Sequence, residues 1–494
     1  VSSKFLGPIT NALKAFNKGL DKLLDHSMRD AFHDSAARWP PPRCYRGTRV
    51  DHIRTITEWG LGAAEKKEPI LWMYGPFGVG KSALAQSCTE IFASENKLAA
   101  SVFFSHPNRR DDPNRVFTSI AYQVCARCSS LGDIVDRVVQ KHPTHLTASR
   151  QIQFQELLAS PLRQIGAQEM ARLRGWIIVL DGLDECDGRN ELCDIIDIIA
   201  TSIHHQTTPF RWFIISRPER HIQRSMNEER ISPLLFHLDI PLSPETDEDI
   251  RNYLLSELEV IRERYDLSPS WPSDADFTAL IEIIAGLWVS AAIIIRFVGD
   301  RDVAAPITQL NLVMSFGNKI QRTSTAANPW AQVDLLYHFL LQRLSPMIIS
   351  RVRKILLLNR LYEEERFDKA IELSHALGLP QEEFYSACGF LQSVLYLGES
   401  DWRPNAFEIK FYHASFLEFM EDETRSKCLC IYGDCLVELH HEVIGRINDM
   451  HSRAKGRYLY PPSSSSDQIK QPNTMSSPVD YPLCVTRICC HTIA

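Results

Sequence analysis

The chain has 494 residues, of which 44% are hydrophobic and 23% charged, with 22 Gly and 27 Pro. That length exceeds one ordinary core and implies about two to four units of roughly 100–200 residues each, and the composition excludes disorder of the whole. Fifty-four basic residues against 61 acidic ones leave a formal net charge of −7, which gives no global attraction to nucleic acid or to an anionic membrane and argues against both as partners.

In chain order, residues 1–38 read as helical, with Leu13, Phe16, Leu20, Leu23 and Leu24 at three- and four-residue spacing. Pro40, Pro41 and Pro42 in "WPPPRCYRGTR" then break any helix and set a boundary near residue 40. From 41 to 243 short apolar runs alternate with helical patterns, the signature of a parallel α/β sheet with crossover helices. The predicted strands are Ile70–Tyr74, Ser101–Phe104, Trp176–Leu180, Arg211–Ile215 and Leu235–Ile240. Their near-continuous hydrophobicity suits strands covered on both faces.

Residues 244–322 become helical, with Thr246 or Asp247 suited to capping and a long helix expected after "SPSWPSD" to about Val298. Within it the uncharged run Ile283–Ile295 is 13 residues long, short of the about 20 a bilayer requires, and reads as a buried core helix. Residues 331–425 form a further unit: helices near Ala331–Leu344 and Ile348–Tyr362, then more helix and a short hairpin, an order that fits a winged helix. A helical start of another region follows at 426–454, and 455–494 has too little apolar content to order itself. Thirteen cysteines without framework spacing, and no charged-then-apolar leader, favour a reducing cytoplasm. The first residue, Val1, reads as the start of a fragment or processed piece.

The chemistry concentrates at Gly75, Pro76, Phe77, Gly78, Val79, Gly80, Lys81, Ser82 and Ala83. Gly, four residues, then Gly-Lys-Ser after a strand and before a helix is a Walker A loop, whose amides and helix N-terminus cradle phosphates. Lys81 neutralises the β/γ oxygens and Ser82 ligates Mg²⁺. In "WIIVLDGLDECDG" an apolar strand ends in Asp181, placed for the metal, with Glu185 first and Asp184 second as the group that orients the attacking water. "RWFIISRPE" carries Arg217 at a third strand tip, where it can reach the γ-phosphate or simply cap the strand. Without a guanine-reading Asn-Lys-x-Asp motif, ATP is preferred to GTP.

Weaker patterns read structurally. Cys125 and Cys128 share a helix face with no second pair to complete a zinc site, and the cluster of Cys428, Cys430, Cys435, His440 and His441 is looser still. "HPNRRDDPNR", 106–115, balances its charges and reads as a solvated loop.

Together "GPFGVGKS", "IIVLDGLDE" and "FIISRPE" resemble the signal-transducing NTPases of the STAND class, in particular the NACHT and nephrocystin-like NTPase modules abundant in fungi. The resemblance runs from "CYRGTR" to "HASFLEFMEDETRS". It implies a sheet of order 5-1-4-3-2 followed by a helical and a winged-helix domain, and an NLR-like switch that oligomerises when ATP replaces ADP. It also implies base contacts from Gly47, Thr48 and Arg49 and a diphosphate contact from His413; read alone, His413 is a hairpin histidine with no task. Gly286-Leu287-Trp288 stands where many relatives have Gly-x-Pro, and His106 where many fungal relatives carry Arg. Two other functions stay open: a scaffold that keeps nucleotide as a structural ligand, and an AAA-type motor, for which neither Arg189 nor Arg220 sits in a finger motif. An unidentified protein partner is expected in the switch.

Overall fold

Five short apolar runs form the sheet: β1 (Ile70–Tyr74), β2 (Leu98–Phe103), β3 (Ile177–Asp181), β4 (Arg211–Ser216) and β5 (Leu235–Asp239). All pair in parallel, in the order β2-β3-β4-β1-β5. This is the expected order read from the opposite edge, and the architecture is the P-loop NTPase α/β fold. The coordinates are a computed structural model that describes residues 18–242, 244–300, 304–323, 329–361, 377–399, 407–442 and 444–446. Two units divide the chain: Val1–Ile295 with Leu310–Arg322, and Arg296–Gln309 with Thr323–Ala494.

The strands read as unbroken hydrophobic runs because alternate residues enter different cores. Ile70, Trp72, Val102, Ile178, Leu180, Trp212 and Ile214 pack with the helices Val116–Arg127, Ser129–Lys141 and Arg189–His204. Leu71, Met73, Val179, Phe213 and Ile215 face the helices Val50–Leu61 and Lys81–Ser94. β2 starts three residues earlier than the sequence suggests: Ala99 and Ala100 have weak strand preference, yet both are fully buried between the layers.

β2 is an edge strand, and the segment before residue 40 lies against that side of the sheet. The short helix Lys18–Asp25 presents the amides of Gly19 and Leu20 to the buried carboxylate of Asp136, at 2.8 and 3.0 Å. Met28 N–H donates to Ser119 Oγ (2.8 Å), and His33 N–H to Ser101 Oγ on β2 (3.1 Å). Leu13 and Phe16 lie outside the described residues.

Helices Pro244–Arg264, Asp274–Ile284 and Trp288–Val298 follow the sheet. Thr246 and Asp247 sit inside the first of these, which starts at Pro244, so neither caps it. The single long helix expected up to Val298 is two helices, because Ala285 (φ 51°) and Gly286 (φ 77°) adopt the left-handed conformation that ends the first. Among the described residues no helix is long and apolar enough to cross a membrane.

The second unit contains the helices Pro329–Gln342, Pro346–Leu361 and Gln381–Gly389, then the antiparallel pair β6 (Leu395–Glu399) and β7 (Phe407–Phe411), then the helix Ala414–Glu421. In the hairpin "LYLGE" supplies β6 and "FEIKF" β7, and helix resumes at Ala414. Residues 455–494 lie outside the described residues.

Candidate functional site

The loop after β1 is shaped by glycines. A Cβ on Gly75 would collide with the carbonyl oxygen of Ile240, just beyond β5. Gly78 and Gly80 have φ of 76° and 88°, a region L-residues avoid, and a Cβ on Gly78 would come within 2.8 Å of Val289 Cγ1. Gly80 is the N-cap of the Lys81–Ser94 helix and no side chain caps it, so the first-turn amides remain available to an anion. Pro76, Phe77, Val79 and Ala83 complete the loop and helix start, with Phe77 and Val79 buried.

Lys81 folds over this loop, its Nζ donating to the carbonyls of Gly75 (2.9 Å) and Pro76 (2.8 Å). Burial lowers its pKa to about 8, partly countered by Asp184, Asp181 and Glu185. Across from it Asp181 ends β3, 3% exposed, and burial raises its pKa to about 6 while a hydrogen bond from Ser82 opposes the rise. Its Oδ1 is buried and has no hydrogen-bond partner. A buried carboxylate oxygen left over beside a serine hydroxyl is a donor set that fits a hard cation such as Mg²⁺, so Ser82 and Asp181 are the residues present to hold one.

Asp184 and Arg217 come together as a pair. Arg217 Nε lies 3.1 Å from Asp184 Oδ2, and the Arg217 amide donates to Oδ1 at 2.9 Å. The guanidinium also sits over the Phe77 ring, 5.5 Å from its centroid, which places Arg217 against the phosphate loop. Glu185 Oε2 accepts the amide of His106 at 3.3 Å. The 106–115 loop is therefore not merely solvated: Pro107 and Pro113 are buried and most of its other residues are half-buried.

The segment before the sheet also reaches the loop. Arg49 Nη2 donates to the Val79 carbonyl (3.0 Å), and its amide donates to Asp249 Oδ2 (2.9 Å). Thr48 is buried with its hydroxyl on the Tyr45 carbonyl (2.7 Å), and Gly47 takes φ 82° in the turn between them. His413 belongs to the second unit, where its Nδ1 accepts the Ser415 amide (3.1 Å) and caps the Ala414–Glu421 helix.

Two further residues bear on the site: Arg38, which the sequence does not single out and whose charge interacts with Asp181, and Trp288, named above only as a departure from Gly-x-Pro. Arg38, 7% exposed, stacks 3.7 Å from the Phe103 ring centroid and donates to Gln86 Oε1 (2.8 Å) and the His33 carbonyl (3.0 Å). Its burial lowers its pKa to about 9, while the charge of Asp181 opposes the fall. Trp288 stands over Gly80, with its Cδ1 3.4 Å from where a Cβ would be. Arg38 carries no motif, since an Arg before a proline run looks like surface. Cys125 and Cys128 are buried, and no metal-binding cluster of three or more His, Cys, Asp or Glu occurs among the described residues.

Residues 52–217, which contain β1 to β4 and the loop, match the family described as Nephrocystin 3, N-terminal. No curated protein matches the chain. Among solved structures the chain is similar to the Walker-type ATPase PABY2304 of Pyrococcus abyssi, at 12% identity over 76% of this chain and 98% of that one, TM-score 0.34. Cdc6p of Pyrobaculum aerophilum is 12% identical over 78% of this chain and 97% of its own, TM-score 0.37. The ORC1 protein of Aeropyrum pernix, solved in complex with DNA, is 17% identical over 75% and 91%, TM-score 0.32.

Proposed function

We propose that the chain is an ATP- and ADP-binding signal-transducing NTPase that uses slow hydrolysis to reset a nucleotide-dependent oligomerisation switch in the cytoplasm. The observation that carries the nucleotide is the pairing of a left-handed glycine loop, closed by Lys81, with the unpartnered Oδ1 of buried Asp181. Mg²⁺, when bound by Ser82 and Asp181, would supply Lewis-acid neutralisation of the phosphate oxygens. Lys81 binds the β/γ oxygens, Arg217 leaves or shares Asp184 to meet the γ-phosphate, and Glu185 orients water.

The switch reading is supported by what stands on the loop. Val289 N–H donates to the Gly78 carbonyl (3.4 Å), and the helix it opens, Trp288–Val298, is the one within which the chain passes from one unit to the other. A loop that changes with the γ-phosphate must move these contacts, and only a ligand with different affinity for two states shifts their populations. In this reading Gly47, Thr48 and Arg49 hold the base, and His413, on a winged-helix domain, faces the diphosphate of the closed ADP state.

Light scattering of the ADP-loaded and ATP-analogue-loaded chain tests the proposal. A mass that rises only with the ATP analogue, and not at all in Lys81→Ala, supports the switch. One mass in every state, with nucleotide still bound, would favour the scaffold.

A further inference from the structure

We propose that His106 and Asp111 are positioning residues for Glu185, a brace that fixes where its carboxylate points. This inference rests on the hydrolytic reading above. A carboxylate on a three-torsion side chain, in the short 3-10 turn Leu183–Glu185, has wide rotational freedom unless one oxygen is held. Here Oε2 is held by a backbone amide, that of His106, at 3.3 Å. The direction of that amide depends on the loop that carries it, and this loop is closed on itself. Ser105 and Arg110 exchange backbone hydrogen bonds of 3.1 and 3.0 Å, and His106 Nδ1 pairs with the Asp111 carboxylate across the same closure.

The brace is then fastened to the turn it serves. The Asp187 amide donates to the Asp111 carbonyl at 2.8 Å, and the Phe104 amide to the Asp181 carbonyl at 2.8 Å. Loop 105–112 and turn 182–187 are thus tied on both sides of Glu185, with the His106–Asp111 pair as the side-chain link. Arg109 in the middle of the loop takes φ 55°, a left-handed conformation for a non-glycine residue, which persists only where surrounding contacts hold it. The His106 and Asp111 side chains are 32% and 19% exposed, so removing either leaves the buried cores intact.

The test uses the full chain with His106→Ala, Asp111→Ala, the double variant and His106→Asn, which keeps a donor near the Nδ1 position. Each alanine variant should lower kcat for ATP about tenfold, with KM held within about twofold. The double variant should be no worse than the poorer single one, as expected of residues that act as a unit. His106→Asn should recover most of the loss. Hydrogen exchange, read without nucleotide, should accelerate in 105–112 and 182–187 together in the alanine variants. Unchanged kcat, a KM that rises in step with its fall, or exchange in 182–187 that stays as in the parent would each overturn the brace. A parent chain that hydrolyses no ATP sinks the hydrolytic reading instead, and the exchange measurement still decides the brace.

Discussion

Lys81 shows how the loop is arranged to meet negative charge. Its ammonium is set among carbonyls and depressed to about pKa 8 by burial, a cost that two phosphate oxygens would relieve. At about 4 Å and an effective dielectric near 20 one such contact is worth about 4 kcal/mol, or roughly three decades in Kd. Lys81→Met should therefore weaken ATP binding by about that factor in a fluorescent-nucleotide titration, without lowering the melting temperature of the nucleotide-free chain. Glu185→Gln should instead keep binding and lower turnover about a hundredfold, checked by single-turnover phosphate release. Asp184 behaves differently from its neighbour: at 4% exposure and paired with Arg217, its replacement by Ala strips a half-buried cation of this partner. The cost is about 3 kcal/mol, read as a shift in the urea midpoint. That Gly75–Ser82 would span a strand-to-helix loop, with Asp181 at another strand tip and Glu185 in the turn after it, was legible because phosphate chemistry demands those types at that spacing. The Asp184–Arg217 pair joins residues 33 positions apart through adjacent strand ends, and no local pattern announces it.

At the scale of elements, the segment before Pro40 is fastened to the sheet by polar contacts that hydrophobic periodicity does not report. His33 is buried, with its amide and Nδ1 on Ser101 Oγ (3.1 and 3.2 Å) and its carbonyl accepting from Arg38 and Gln86. Burial lowers its pKa below 6.5; Arg127 and Arg38 act in the same direction, and Asp34 and Glu90 against it. The unfolded chain thus binds a proton near pH 6.5 that the folded chain still refuses, so stability falls as pH drops from 6.5 toward the folded pKa. His33→Gln should flatten that loss, seen as a smaller drop in melting temperature between about pH 6.5 and 5. The strands were legible to within one residue at most ends, because burial on both faces forces continuous apolar runs. β2 began early on alanines that propensity undervalues, and the break at Ala285–Gly286 hid inside a run apolar enough to pass as one helix.

At the scale of the whole molecule, the order of the sheet was an implication of the family resemblance that the three motifs carry; the strands' own apolar runs suit any order of a parallel sheet covered on both faces. The second unit was less legible: its hairpin strands are five residues each, and "FEIKFYHASFLEFM" holds a strand and a helix with no glycine or proline between them. The central claim is that nucleotide is held to set a state, with hydrolysis only as the reset. The most direct measurement denatures the purified chain, identifies the released nucleotide by ion-pair chromatography, and then follows ATP turnover of the refilled protein. The account predicts tightly held ADP and turnover below about one per minute, in the range of unassisted P-loop switches. No retained nucleotide together with fast, sustained turnover would contradict it and mark the chain as a motor.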